Sequence, residues 1–563
     1  MIMPNQFKTV SSNSAPKFFG KGRSRHDLSH VVSQTGNTGD LIVTLCEPVV
    51  PGATFSLRTA SLTRLETSLH QTLDNAYVEF AYFFVPARQL WSNFDKYQGF
   101  NRDAWAQTIN FTKPQIKLVA DTSGDSSIGD IDTTFQDRVL PQSLMQDLYM
   151  PATEVPSYDS TSQLAPAYLE IDQLPLRAVF KCYNEYFRDQ NFDSEIYYDD
   201  GNSDKNVTQG YFFNGSYFYP YHGRLHVNRY KDIFSTAFPQ PQKGDAVKVL
   251  LGDTAPLGVV NTNGTLTPLE VSSGATGTVK INGISVTGTP VQAALAGVNF
   301  TVNDLRIAIA LQSMRERDAR SGNRLNEKLY GTWHIQANNL ELDRSEYLGG
   351  KRVPITMMEV LQTSETGNTV LGSDAGHSKT FDADDSFSKT FTQWGYIIGF
   401  VWVRTNRSYS QGIDRKFFVK DILDEYDPML DNIGEQPIYK RELNAVLGAG
   451  NTVLMQNKVW GYQEAWYQYK KRLNRYSGMF QPGIQGTLDS WHYGDNYVDY
   501  AGNSLEPFIG PDWLKEGPEQ VDRTIAVGSS AGIAAFQWKF NIAFEMYSTF
   551  ESSVHSMPNT FGF

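Results

Sequence analysis

Cysteine is nearly missing from this chain: Cys46 and Cys182, far apart and each inside an apolar run, are the two thiols among 563 residues. So few cysteines exclude a disulfide framework, and the expectation is two reduced, buried thiols in a reducing cytoplasm. No apolar stretch follows Met1, and no apolar run reaches the roughly 18 residues that cross a bilayer, so neither a secretory leader nor membrane insertion is expected. Positive charge is also short, with 49 Lys and Arg against 61 Asp and Glu and a net charge of −12. That balance argues against a general nucleic-acid binder, whose domain would be basic. Its distribution says more. Residues 1–30 hold Lys8, Lys17, Lys21, Arg23 and Arg25 against Asp27 alone, in a Ser/Asn/Gly/Pro-rich context without a core-forming pattern. A basic arm over 1–39 on an acidic body is predicted. Aromatic residues vanish from 243–299, where the chain's 13% would give about 7. That stretch carries nine glycines and the steps Asn263-Gly264 and Asn282-Gly283, the second inside TVKINGISVT. Small projecting hairpins follow, because Asn-Gly suits tight hairpin turns and loop closure costs grow slowly with length.

Elsewhere aromatics abound, with 29 Tyr and 34 Phe against 20% charged residues, which implies a large core or a large contact surface. The chain is organised around DNAYVEFAYFFVPARQLW, residues 74–91. Ala76, Val78, Phe80, Tyr82 and Phe84 alternate with positions of which only Glu79 is charged, so 76–84 reads as a strand covered on both faces and ending before Pro86. Strands are also predicted over 41–46, 54–62 and 396–403. Phe536, Trp538, Phe540, Ile542, Phe544 and Met546 alternate with polar or small residues, the cleanest period of two in the chain. Leu176, Val179, Phe180, Tyr183 and Phe187 recur at helical spacing after Pro175, predicting a helix over 174–190. A second helix, 303–320, would carry Leu305, Ile309, Leu311 and Met314 along one side. Strands near both ends with helices and loops between them suit a mainly β, antiparallel sandwich, not an alternating parallel sheet.

Catalytic signatures are weak. Gly528-Ser529-Ser530-Ala531-Gly532 fits a nucleophile elbow in spelling, but a strand follows it where a helix is needed. His222 and His226 are four apart beside Gly223 and lack a third ligand, so no metal site is assigned. The segment DGNSDKN resembles the start of a calcium loop but has Lys205 where Gly is required. No catalytic residue and no cofactor is assigned, and the chain is not read as an enzyme. Two clusters remain candidates for nucleic acid. The first is the arm, Lys8, Lys17, Lys21, Arg23 and Arg25. The second is WGYQEAWYQYKKRLNRY, residues 460–476, where Trp460, Trp466, Tyr467 and Tyr469 are interleaved with Lys470, Lys471, Arg472 and Arg475. Aromatic platforms beside phosphate-neutralising cations bind single strands, and a subunit interface rich in Tyr and Arg is the competing use. Arg315, Arg317, Arg320 and Arg324 alternate with Glu316 and Asp318 and read as ion pairs.

Several stretches resemble the major capsid proteins of gokushovirus-type microviruses, small tailless phages with circular single-stranded DNA. These are FFVPARQLW, LPLRAVFKCYNEYFRDQNF, RYKDIFSTAFPQPQKGDAV, VNDLRIAIALQSMRERDARSGNRLNE, RSEYLGGKRVPI, WGYIIGFVWVR, the Gly434-Glu435-Gln436 step, and VWGYQEAWYQY followed by GTLDSWH. The resemblance implies a single jelly roll of about eight strands with long loop insertions containing short helices and hairpins. It implies a homo-oligomeric, T=1 icosahedral shell of about 60 copies around the genome, assembled in the host cytoplasm. The partners it implies are single-stranded DNA, a small basic DNA-binding protein, a minor pilot protein and a host surface receptor. The implied division is an interior-facing arm 1–39, a first part of the roll over 40–242, a variable surface insertion 243–300 near three-fold axes, and the remainder over 301–563. The competing class is a carbohydrate-binding or carbohydrate-cleaving β-sandwich, for which Trp and Tyr would serve as sugar platforms.

Overall fold

The computed structural model describes residues 23–98, 112–118, 140–151, 169–206, 210–244, 302–322, 324–336, 343–361, 374–446, 456–497, 510–526 and 536–552, and short strands between 257 and 293. The chain divides into two compact units, one of residues 1–239 with 336–563 and one of residues 240–335.

The first unit is built on nine main strands: β1 (Arg23–Asp27), β2 (His30–Gly36), β3 (Asp40–Val49), β4 (Thr54–Leu65), β5 (Ala76–Pro86), β6 (Glu346–Pro354), β7 (Thr380–Thr390), β8 (Gly395–Thr405) and β9 (Trp538–Glu551). They form two antiparallel sheets. In one the order is β2-β9-β4-β7, with β1 continuing the edge alongside β9, and in the other β3-β8-β5-β6, with Leu225–His226 added beside β3. The pairs are nested: β2 with β9, β3 with β8, β4 with β7, β5 with β6. The chain thus runs as one long hairpin whose pairs fall alternately in the two sheets. The strand runs expected at 41–46, 54–62, 76–84 and 396–403 lie within β3, β4, β5 and β8.

Alternation sorts the side chains. Val78, Phe80, Tyr82 and Phe84 of β5 pack between the sheets with Ile42, Phe55, Leu57, Ile397, Phe540 and Ile542, while Ala81, Phe83 and Val85 join a second core on the opposite face. This is why β5 reads as apolar on both sides. The sheets are also tied by a buried hydrogen bond of 2.7 Å between Thr59 Oγ1 and Tyr82 OH. Glu79, the one acid of the strand, is buried but neutralised. Arg404 Nε donates to it at 3.0 Å, Arg352 Nε lies 3.5 Å away, and Tyr230 OH donates at 2.6 Å. The two guanidinium groups in turn lie over the Tyr230 ring at 4.2 and 4.3 Å.

The second core is closed by α1 (Leu174–Cys182), entered through a proline in its first turn, where the missing N–H costs nothing. The helix expected over 174–190 is α-helical only to Cys182. A π turn, Tyr183–Phe187, follows, and Arg188 is extended. The wider turn sets Tyr186 4.6 Å from Phe83, and Phe187 5.3 Å from Phe400 and 5.1 Å from Trp402. A continuous α-helix would carry those rings past the sheet.

Two expectations need correction. The arm expected over 1–39 gives way to sheet from Arg23 onward: β1 and β2 pair in turn with the same edge of β9. Arg23 Nη2 donates to Gly52 O at 2.7 Å and Thr549 O at 3.1 Å, and Arg25 lies 3.7 Å over the Tyr547 ring. Lys8, Lys17 and Lys21 lie outside the described residues. In the second unit, α2 (Val302–Ser321) spans the expected helix, but its apolar residues do not share one side. At about 100° per residue Leu305 and Ile309 fall on one flank and Ile307, Leu311 and Met314 on the other, and no described side chain of the helix is buried.

In the same unit Leu257–Val260 pairs with Leu266–Pro268, and the Asn263-Gly264 step between them lies outside the described residues. Val279–Ile281 pairs back to Val271–Ser273, and Asn282-Gly283 lies outside the described residues.

Replacing Ile542, fully buried between the sheets, by alanine should cost about 2–5 kcal/mol, read as a lowered urea midpoint at unchanged slope. Val31→Ala, on the exposed side of β2, should stay within about 0.5 kcal/mol. Equal losses at the two positions would contradict a shared inter-sheet core.

Candidate assembly and nucleic-acid surfaces

Polar chemistry inside the first unit is consumed in holding loops together. Asp495 accepts from Arg229 Nη1 at 2.7 Å, Arg407 Nη1 at 2.8 Å and Tyr497 OH at 2.7 Å. Burial opposes its ionisation, but the two guanidinium groups outweigh that and hold its carboxyl below the usual range. Arg407 Nη2 lies 2.9 Å from Glu516 Oε2, too bent for a hydrogen bond, while Glu516 Oε1 accepts from Thr405 Oγ1 at 2.6 Å. Gly39, at φ +90°, passes so close that a Cβ would meet the Glu516 carbonyl oxygen at 2.1 Å, so only glycine fits.

The weak motifs resolve into structure. Asn202 Oδ1 accepts from Trp91 Nε1 at 2.6 Å, and Asp204 Oδ1 accepts from the Gln115 backbone at 2.9 Å. His226 Nδ1 is 3.4 Å from Asp40 Oδ1. Among the described residues no three His, Cys, Asp or Glu side chains converge as metal ligands, and no helix is long and apolar enough to cross a membrane. Cys46 and Cys182 are both free, and burial pushes the Cys46 thiol up to about 12. The Gly528–Gly532 motif lies outside the described residues.

The segment 460–476 separates into a buried part and an exposed part. Trp460, Trp466 and Tyr467 are buried: Trp460 packs 4.7 Å from Trp513, Trp466 Nε1 donates to Leu430 O at 3.0 Å, and Tyr467 OH bonds Glu442. Of the expected stacking platforms only Tyr469 is exposed. Lys470, Lys471, Arg472 and Arg475 all reach solvent, but Lys470 Nζ is 2.7 Å from Glu464 and Arg475 Nη2 3.6 Å from Asp414. Spacing alone cannot tell a core tryptophan from a surface platform. Of the arginines read as ion pairs, Arg317 on α2 lies 3.5 Å from Asp318, and Arg324, beyond the end of α2, lies 3.5 Å from Glu327.

Beside this strip lies a surface that sequence reading missed. Three single-turn 3-10 helices, Arg415–Phe417, Ile422–Asp424 and Pro428–Leu430, display Phe417, Ile422 and Met429 with 70%, 83% and 91% of their surface exposed. Aspartates stiffen the turns: Asp414 accepts from the Lys416 N–H at 3.3 Å, Asp424 from the Lys420 N–H at 3.1 Å, and Asp427 from the Met429 N–H at 2.7 Å. The available signal was large apolar residues spaced without period among acids.

At the same end, His492 is buried and stacked on Tyr476 at 4.0 Å. Its Nδ1 accepts from the Gly494 N–H at 3.0 Å, so Nε2 donates to Phe480 O at 2.7 Å. Burial lowers its pKa, and the Arg523 guanidinium adds to this. A histidine held neutral in the fold gives stability that is present above its unfolded pKa of about 6.5 and lost as pH falls through that value. Urea denaturation of the unassembled chain should show this loss between about pH 7.5 and 5.5, with a smaller loss in His492→Gln. An identical pH dependence in the variant would contradict the assignment.

The family described as "Capsid protein (F protein)" matches residues 19–141 and 150–558. The capsid protein VP1 of Spiroplasma virus 4 is 30% identical over 541 residues, 90% of each chain. VP1 of Bdellovibrio phage phiMH2K is 28% identical over 533 residues, again 90% of each, and VP1 of Chlamydia phage 1 is 26% identical over 598 residues, 93% of each. The match runs through both sheets and the connections between them, where the motifs that suggested microvirus capsids also lie. This chain belongs to the F-type phage capsid protein family.

Proposed function

We propose that this protein is the major capsid protein of a small phage and self-assembles into an icosahedral shell of about 60 copies around a circular single-stranded DNA genome. The family match over nearly the whole chain carries the reading. Strand order supports its fold: first against last, second against last but one, down to β5 against β6, is the nesting of an eight-stranded jelly roll, with β1 extending β2. The protein acts as a structural component of the virion, assembled in the host cytoplasm, and not as an enzyme.

The second unit lies in the connection between β5 and β6, and with residues 243–300 as its variable part it suits a surface projection near three-fold axes that meets a host receptor. A net charge of −12 per copy has the sign of the genome, so neutralisation falls to the arms, counterions or a small basic partner protein. A minor pilot protein completes the expected partners. For DNA contact the arm is the better candidate: Lys8, Lys17 and Lys21 precede β1 on a polar tail able to reach phosphates at little ordering cost, with Arg23 and Arg25 at its root. Lys470 and Arg475 each have an acid beside them, which weakens a phosphate role for that strip.

Expression of the full chain should give uniform closed particles by electron microscopy, whereas monomers that bind or cleave glycans would defeat the reading. Deleting residues 1–22, which leaves β1 intact, should still give particles, but ones that lose nuclease-protected DNA as salt rises from about 50 to 200 mM. DNA content and salt response equal to the full chain would remove the arm from genome binding.

A further inference from the structure

We propose that the exposed apolar and acidic surface of residues 413–433 is a contact between copies of this chain, and that the basic strip carrying Lys471 and Arg472 is its counterpart on the neighbouring copy. The inference rests on the capsid reading and adds which surfaces meet.

Three observations carry it. First, Ile422 and Met429 expose 83% and 91% of their surface on turns stiffened by aspartate side chains. Ordering such side chains in water gains nothing for a lone chain, and exposed apolar clusters rimmed by polar groups mark association surfaces. Second, this surface is acidic on balance: Asp421, Asp424, Glu425, Asp427 and Asp431 are exposed among the apolar residues, against the exposed Lys416 and Lys420. It therefore disfavours nucleic acid and favours a basic partner.

Third, the complementary chemistry is on the same molecule and adjacent. Tyr426 packs 5.7 Å from Trp466 and 5.9 Å from Tyr469, joining the acidic turns to the segment that carries Lys470, Lys471 and Arg472. That segment continues into exposed Met479 and Leu488. A surface with one acidic and one basic half, apolar throughout, is complementary to a second copy of itself. The exposed cations of 470–475 then face carboxylates across the contact.

The test is charge exchange in the full-length chain. Glu425→Lys with Asp431→Lys, and separately Lys471→Glu with Arg472→Glu, reverse the charges on the two sides; because Arg472 also donates to Gln468 O of the preceding turn, Lys471→Glu alone serves as a control for that bond. Each pair should cut the yield of closed particles by about tenfold while the unassembled chain melts as before. Combining all four should restore the yield, because attraction across the contact returns with the signs exchanged. Ile422→Asp with Met429→Asp should block assembly without lowering the melting temperature.

A combined variant that stays as defective as the single pairs overturns the proposal. If its particles form but lack DNA, the basic strip contacts phosphates instead. A lower melting temperature in the Ile422/Met429 variant would show that the chain itself covers the patch. Particles from every variant at the unaltered chain's yield would overturn this contact alone, whereas no particles from the unaltered chain would overturn the capsid reading.

Discussion

The pairing of β9 on both its edges is the constraint on which the rest of the molecule depends. One edge takes β4 over twelve residue pairs, from Trp538–Leu65 to Thr549–Thr54, and the other takes β2 and then β1. The last main strand is thereby locked between the first ones, β4 on one edge and, across more than 500 residues of sequence, β2 and β1 on the other. Bringing such distant strands together is costly in chain entropy and slow, but the cost rises only logarithmically with the length enclosed. Once the stem is formed, the connections can lengthen at little further cost. The second unit, lying between β5 and β6, shows what this permits: about a hundred residues are inserted while β5 and β6 still pair from Glu346–Phe84 to Pro354–Tyr77, with one irregularity between Tyr347 and Gly349.

Burying so much sheet leaves charge to be managed. Glu79 sits on a covered strand because Arg352 and Arg404 reach it from the flanking strands β6 and β8, where register sets Arg352 opposite Glu79 and Arg404 two pairs along, opposite Tyr77. Asp495 and Glu516 do the same work at the loop end, binding Arg229 and Arg407 from separate connections. Ion pairs of this kind add little net stability over an apolar packing, yet removing one partner costs about 3–5 kcal/mol because a charge is left stranded. They function as keys to one arrangement of loops, beside the small apolar cluster of Phe234, Tyr409, Trp460 and Tyr497 that those loops also form.

How much of this was readable depended on whether a residue's environment is written in its neighbours. β5, β8 and β9 announce themselves because both faces, or one face strictly, are apolar, and no helix tolerates that period. β1 and β2 do not: RSRHD and HVVSQTG are edge-strand sequences, polar because one side faces water, and their partner lies at the other end of the chain. The spacing of α1 was legible but its π turn was not, since the same apolar offsets serve until rings from β5 and β8 decide which turn is wider. Residues 460–476 failed differently. Which aromatics are buried is fixed by Trp513 and Leu430, neither of which is near in sequence.

A coat subunit must be soluble alone and adhesive in company, and the 413–433 surface shows how one stretch can do both. Each large apolar side chain there has an exposed carboxylate within a few residues, so two acidic turns repel while their apolar tips would attract. With a Debye length of about 8 Å at physiological salt, that repulsion is felt only at close approach, where wrong contacts are made. A basic strip removes it and exposes the apolar gain. The same acids disfavour any polyanion at that surface, so in the proposed shell the discrimination between a second copy and nucleic acid would rest on charge sign, with the apolar area supplying adhesion once the sign is right.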